Sequence, residues 1–208
     1  MFFNRLCAYS IDMLLITFLM FFISGTYKLN PYLYDHEDAY KKYEKVYNSI
    51  DMSKGDSEEL LNKMKEPLYD MEHTNIYVYI WYIVITVFYF GIFQRLTGGQ
   101  TLGKKLCRLK VVSKDDKEAN LFRLLLHSIF VGSSFYEGFT FITIIKLLTV
   151  LLLSKEVFVN TYFVVALLSF ILEMAYYVTA ITHKDGNYLN DIIAGVKTIS
   201  LKKDVNLD

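Results

Sequence analysis

The sequence predicts an all-α membrane protein with four transmembrane helices, cytoplasmic N and C termini, an outer helical loop and a small cytoplasmic two-stranded β element. Three observations carry this. Hydrophobic residues make up 53% of the 208-residue chain and aromatics 16%, with only two prolines. The apolar residues gather into long blocks instead of amphipathic stripes, the pattern of a polytopic membrane protein. The 22 basic and 22 acidic residues cancel in number, yet the two signs are segregated along the chain, so overall neutrality hides an orientation signal.

The first block places a span over residues 6–24. The apolar stretch from Phe2 to Ile23 is about twice the length of a secretory signal core, contains Asp12 and lacks a small-residue cleavage site, so it reads as an uncleaved helix. Further spans are predicted over 76–93, 130–154 and 157–181, each approaching the roughly 20 residues a bilayer requires. Only the turn Ser154-Lys155-Glu156 separates the last two, which makes them a helical hairpin.

Orientation follows from Lys and Arg, because short positively charged loops stay cytoplasmic. Residues 94–129 form a basic loop, carrying among others Arg95, Lys104, Lys105, Arg108 and Arg123, with an amphipathic helix expected from Leu121 to Phe130. The tail 182–208 adds Lys184, Lys197, Lys202 and Lys203. Residues 25–75, where acidic groups such as Asp35, Glu44, Glu66 and Glu72 outnumber lysines, belong outside. An even number of spans satisfies all three regions at once.

That outer stretch is too long and too patterned for a plain connection. Tyr40, Tyr43 and Tyr47 fall at helical spacing. Asp56 followed by Glu59 ahead of Leu60, Leu61 and Met64 resembles a capping box, with Pro67 near the end of the second helix. Two short amphipathic helices packed as a cap are predicted, serving either as a solvated hairpin or as a lid for a ligand or partner.

Gly98 to Lys104 fits the letters G-x-x-x-x-G-K of a phosphate-binding loop. Lys105 stands where the magnesium-holding hydroxyl belongs, and a membrane-length run precedes the motif in place of a buried strand, so nucleotide binding is not expected. The cysteines, Cys7 and Cys107, supply no disulfide framework or metal spacing.

Ionisable groups inside spans cost about 3 kcal/mol on insertion scales and point to function. Arg5 and Asp12 lie two helical turns apart on one face, with about 10 Å of rise between them. With Lys155 as the hairpin tip, Glu137 and Glu173 fall at equal separations from it and so at similar depth, with Arg123 and His127 just below. Arg5, Asp12, His127, Glu137 and Glu173 are therefore candidates for one polar pocket. It is either a satisfied network that fixes helix packing or an ion or proton site whose carboxylates share a proton or cation. Lys146, central in its span, has no carboxylate at its own depth in the hairpin and needs a partner from elsewhere or a lowered pKa.

Several segments together resemble a known family. Arg5-Leu6-Cys7-Ala8 with Ile11-Asp12, Gly99-Gln100-Thr101-Leu102-Gly103-Lys104 ahead of Val111-Val112, and Asn190-Asp191-Ile192-Ile193-Ala194-Gly195 are similar to the RDD family of bacterial integral membrane proteins. The likeness covers the chain to about residue 200 outside the 25–75 insertion. The motif residues matched are Arg5, Asp12, Gly99, Thr101, Gly103, Lys104, Asp191 and Gly195; where members commonly carry a second Arg, this chain has His127. Members are described as transporter candidates of unknown ligand or occur beside other membrane components. The resemblance also suggests that Arg108 to Ser113 and Gly195 to Ser200 pair as strands, with glycines 99, 103 and 195 permitting turns or close approach. Lys104, Lys105 and Arg108 would then face lipid headgroups, and Asp191 would cap a helix or bind one of these basic groups.

The expected function is transport or binding of a small cation, proton or small solute through the pocket around Asp12, in a multi-pass protein of a bacterial cytoplasmic membrane. The alternative is a non-catalytic accessory subunit of another membrane protein, or a homo-oligomer. No enzyme motif appears; no cofactor or nucleic acid is expected, and no metal is specified.

Overall fold

The computed structural model describes residues 2–49, 57–130, 140–182 and 188–201. The chain is mostly helical. In order run α1 (Phe2–Ser24), α2 (Leu33–Asn48), α3 (Ser57–Thr74), α4 (Ile76–Val87), a π-helical segment (Phe88–Phe93) and α5 (Gln94–Leu96). Then follow α6 (Leu102–Leu106), β1 (Leu109–Ser113), α7 (Leu121–Ile129), α8 (Thr140–Leu152), α9 (Lys155–Thr182), α10 (Leu189–Ala194) and β2 (Val196–Ser200).

Three helices among the described residues are long and apolar enough to cross a membrane: Phe3–Ser24, Ile76–Leu96 and Lys155–Tyr176. Only 17% of the most apolar window of the last is buried, so most of its surface would be covered by lipid, which lets an apolar helix stand with its backbone already satisfied. The third predicted span is represented by α8, a shorter apolar helix; the first part of that span, 131–139, lies outside the described residues. The hairpin break falls at Ser154, where α9 begins one residue later.

Two units divide the chain. In one, comprising residues 1–18, 84–141 and 170–208, β1 and β2 pair antiparallel with Leu109 opposite Ser200 and Ser113 opposite Val196. This is the pairing expected from the two β-branched segments. Val111, Val196, Leu124, Ala119 and Ala194 form its apolar core beneath α7. Amphipathic α7 starts at Asn120, whose side chain accepts the Arg123 N–H at 2.9 Å, an N-cap that satisfies an otherwise orphan donor. Leu124, His127 and Ser128 are its buried face.

The second unit, residues 19–83 and 142–169, contains the insertion. Here α2 and α3 pack against each other, and Leu68 of α3 joins Ile76, Val150, Phe158 and Val159 in a core. Tyr43 packs against that core and stacks on Tyr47, while Tyr40 and Tyr47 stay exposed. The expectation that α3 ends near Pro67 is corrected: the helix runs through Pro67 to Thr74. Proline removes one interior hydrogen bond, but burial of Leu68 and Glu72 beyond it holds the last turns in place. Asp56, the proposed cap, lies outside the described residues.

Candidate functional site

Asp12 is 1% exposed and its carboxylate accepts three hydrogen bonds. Oδ1 accepts from the Tyr89 hydroxyl at 2.6 Å and from the Gly103 N–H at 2.7 Å, and Oδ2 accepts from the Thr101 hydroxyl at 2.5 Å. Thr101 is the N-cap of α6, its oxygen accepting the Lys104 N–H, and the Tyr89 oxygen accepts the Leu102 N–H at 3.0 Å. One carboxylate thus gathers α1, the π-helical segment and the start of α6. A π turn of this kind re-aims side chains along a helix; Tyr89 and Phe90 are both buried there.

Glycine at 103 follows directly. A Cβ there would stand 2.1 Å from the Ala8 carbonyl oxygen and 2.8 Å from Asp12 Oδ1, so a side chain would prise α6 from α1. Gly99, at φ +94°, would bring a Cβ within 2.3 Å of the Val111 oxygen, and its own carbonyl accepts the Val111 N–H at 2.8 Å. The stretch that spells a phosphate loop does hold an anion: the anion is the chain's own Asp12.

A second carboxylate organises the other side. Arg5 and Asp191, both buried, form an ion pair, and the guanidinium lies 4.2 Å from the centre of the Tyr188 ring. Asp191 also accepts the Tyr188 N–H at 3.0 Å at the start of α10. Its expected capping role is therefore present, and its basic partner is Arg5, not a residue of the basic loop. Burial pushes the Asp191 carboxyl up, but His127 in its charged form and Arg5 together outweigh it and hold the group at about 2.

His127 completes the network. The Asp191 N–H donates to Asn190 Oδ1 at 3.0 Å, and because a backbone N–H can only donate, this orients the amide with Nδ2 toward His127 Nε2, 3.0 Å away. Nε2 is then an acceptor and the neutral ring carries its proton on Nδ1. Asp191 Oδ1 lies 3.3 Å from the same nitrogen. Neither that oxygen nor His127 Nδ1 has a hydrogen-bond partner among the described residues. Burial lowers the His127 pKa, with Asp191 opposing and Lys104 and Arg5 adding to the fall.

Lys104 turns inward, where its sequence placed it among headgroup contacts. Its ammonium donates to Gln94 Oε1 at 3.2 Å and lies 5.3 Å from the centre of the Phe90 ring; burial lowers its pKa against the pull of Asp12 and Asp191. Lys105 and Arg108 stay exposed. Arg5, Asp12, Lys104, His127 and Asn190 line one cavity of about 40 Å³ together with Tyr9, Tyr176 and Tyr188, room for one to a few water molecules.

Of the pocket residues expected from the sequence, Arg5, Asp12 and His127 meet at this cavity. Glu173 is half-buried on α9 and is not among the lining residues. Glu137 lies outside the described residues. Tyr89, Gln94, Asn190 and Tyr188 were not singled out by sequence reasoning. Gln94, fully buried at the end of an apolar run, and Asn190, beside a motif Asp, carried the available signals.

Apolar helices with open surfaces and a buried cluster of charges are the marks of a helical membrane protein. The RDD family model matches residues 1–195, and the chain belongs to that family. No curated protein and no solved structure matches it.

Proposed function

We propose that the chain is a four-span, non-catalytic protein of a bacterial cytoplasmic membrane, both termini inside, that binds and passes protons at the cavity between Arg5, Asp12, Lys104 and His127. The observation that carries this reading is the position of His127 Nε2, 3.0 Å from a donor, Asn190 Nδ2, and 3.3 Å from an unsatisfied acceptor, Asp191 Oδ1. Without a proton on Nε2 the ring accepts from Asn190. With one it donates to Asp191 and gives Asn190 up. A single proton therefore selects between two partner sets at fixed positions, the property a proton carrier needs.

The oxygens on offer favour the proton over a metal cation. The oxygens of Asp12 already accept three hydrogen bonds, which leaves an added cation little to displace water with. The small cavity likewise favours a proton or water-sized species over a larger solute.

Proteoliposomes enclosing a pH-sensitive dye test this under an imposed potassium gradient. Wild-type chain is expected to pass protons above the rate of empty vesicles, and His127→Gln to reduce flux at least about tenfold, in the range seen when a proton-transfer group is removed. Flux at the empty-vesicle level for wild type, or unchanged flux in the variant, overturns the reading.

An accessory role draws on a different observation. Tyr34, Tyr40 and Tyr47 of α2 are 66%, 49% and 50% exposed, and exposed aromatics are enriched where proteins associate. Replacing all three with Ser should release a co-purifying membrane subunit without changing proton flux if that is their use.

A further inference from the structure

Lys146 and Glu72 present the same difficulty from opposite signs. Lys146 lies within apolar α8, and its ammonium stands 5.9 Å from the centre of the Tyr79 ring and 5.5 Å from that of Tyr162. Glu72, near the end of α3, is 3% exposed and accepts a hydrogen bond from the hydroxyl of Tyr79, itself 1% exposed. Ring faces attract an ammonium, but cation–π contact alone falls short of the cost of dehydrating it. A phenol on a carboxylate is likewise only a partial replacement for its water.

The two charges converge on one tyrosine, the acid at its hydroxyl and the ammonium over its ring. We infer that Glu72 and Lys146 are each other's counter-charge, and that this pair, its carboxylate buried and its lysine half-buried, seats the insertion helix α3 on the hairpin of α8 and α9. All of these residues belong to the second unit, so the inference is independent of the proton reading.

The surrounding contacts explain why such a seat is needed. Leu68 packs with Val150, Phe158 and Val159, Tyr69 meets Phe158 edge-on at 5.3 Å, and exposed Lys155 reaches Asp70 at 3.0 Å. Apolar burial of this kind rewards area without specifying one rotation of α3. The exposed ion pair contributes little. A charge pair with one acceptable geometry and a buried carboxylate supplies register, the best-attested use of buried charge. Glu72 and Lys146 are thus positioning residues, and the insertion is a fixed part of its unit instead of a loose lid.

A double-mutant cycle on the full-length chain in nanodiscs tests this, with Glu72→Gln, Lys146→Met and the two combined. Hydrogen exchange over residues 61–74 is the main readout. Emission of Trp81, the chain's only tryptophan, whose indole N–H donates to the Leu29 carbonyl at 3.0 Å, is the second. Each single variant is expected to speed exchange over 61–74 by about tenfold or more and to red-shift Trp81, because Lys146→Met strands the buried Glu72 carboxylate and Glu72→Gln takes the counter-charge from the half-buried ammonium. The double variant should exchange far more slowly than the product of the singles, with residues 121–129 unchanged throughout. Multiplicative single effects overturn the pairing, as does unchanged exchange in Lys146→Met. If a single variant does not fold, recovery in the double supports the pair and continued failure overturns it.

Discussion

His127 shows how one side chain is set by groups from several elements. Arg5 on α1, Lys104 on α6, and Asn190 and Asp191 on α10 all bear on it, and burial is the largest influence, holding its pKa below the ordinary 6.5. A histidine depressed in the folded state takes up its proton on unfolding, so stability is full above 6.5 and falls as pH drops through 6.5 toward the folded value. Asp191, held at about 2, stays ionised across that window, and its own contribution is lost only at much lower pH, toward that value. The thermal midpoint of the wild-type chain should therefore fall between about pH 7.5 and pH 5.5, and His127→Gln, which cannot charge, should flatten the dependence. An equal slope in the variant would assign it to other groups. At this scale Arg5, Asp12 and His127 were legible as pocket residues from depth and helical spacing. Asn190 was not, because its role depends on the backbone N–H of the next residue.

Among the elements, α6 depends most on a single position. It has five residues, too few to be stable alone, and owes its place to Asp12 at its N-terminus and to backbone contact with α1. Gly103→Ala would insert a methyl 2.1 Å from the Ala8 oxygen and is expected to cost about 1–3 kcal/mol as an overpacked substitution, read as a lowered thermal midpoint. An undiminished midpoint would mean that α6 is not held by this contact. The strands were legible from β-branched alternation, and α7 from its amphipathic face. The π-helical segment was not: nothing in Phe88 to Phe93 announces an extra residue per turn, and the tight packing of Gly91 on Leu125, where a Cβ would stand 2.7 Å from a leucine methyl, is visible only once α7 is in place. Pro67 misled in the other direction, because a local helix-breaking preference of about 3 kcal/mol is overridden by burial on both sides of it.

For the whole chain, the span count turns on the length of the third apolar block. α8 has 13 residues, about 20 Å of helix against a hydrocarbon core of about 30 Å, so a fourth crossing requires helix in residues N-terminal to it. The segregated charges predict sidedness all the same. With Cys7 and Cys107 replaced by Ser, a K45C variant should react with an impermeant maleimide on intact cells, and a K114C variant only after permeabilisation. Labelling of both from outside would reject cytoplasmic placement of the basic loop.

Residue order was enough to establish a helical membrane protein, its long apolar blocks, the paired strands and the RDD family, because each rests on local composition or short motifs read in order. Which charges meet was beyond it. Depth along a helix can be counted from the sequence, but rotation about the helix axis cannot, and it is rotation that joins Arg5 to Asp191 and leaves Glu173 out of the cavity. The same freedom decides where Gly98 to Lys105 points its polar groups, and packing against α1 turns the Gly103 N–H and the Thr101 hydroxyl toward Asp12.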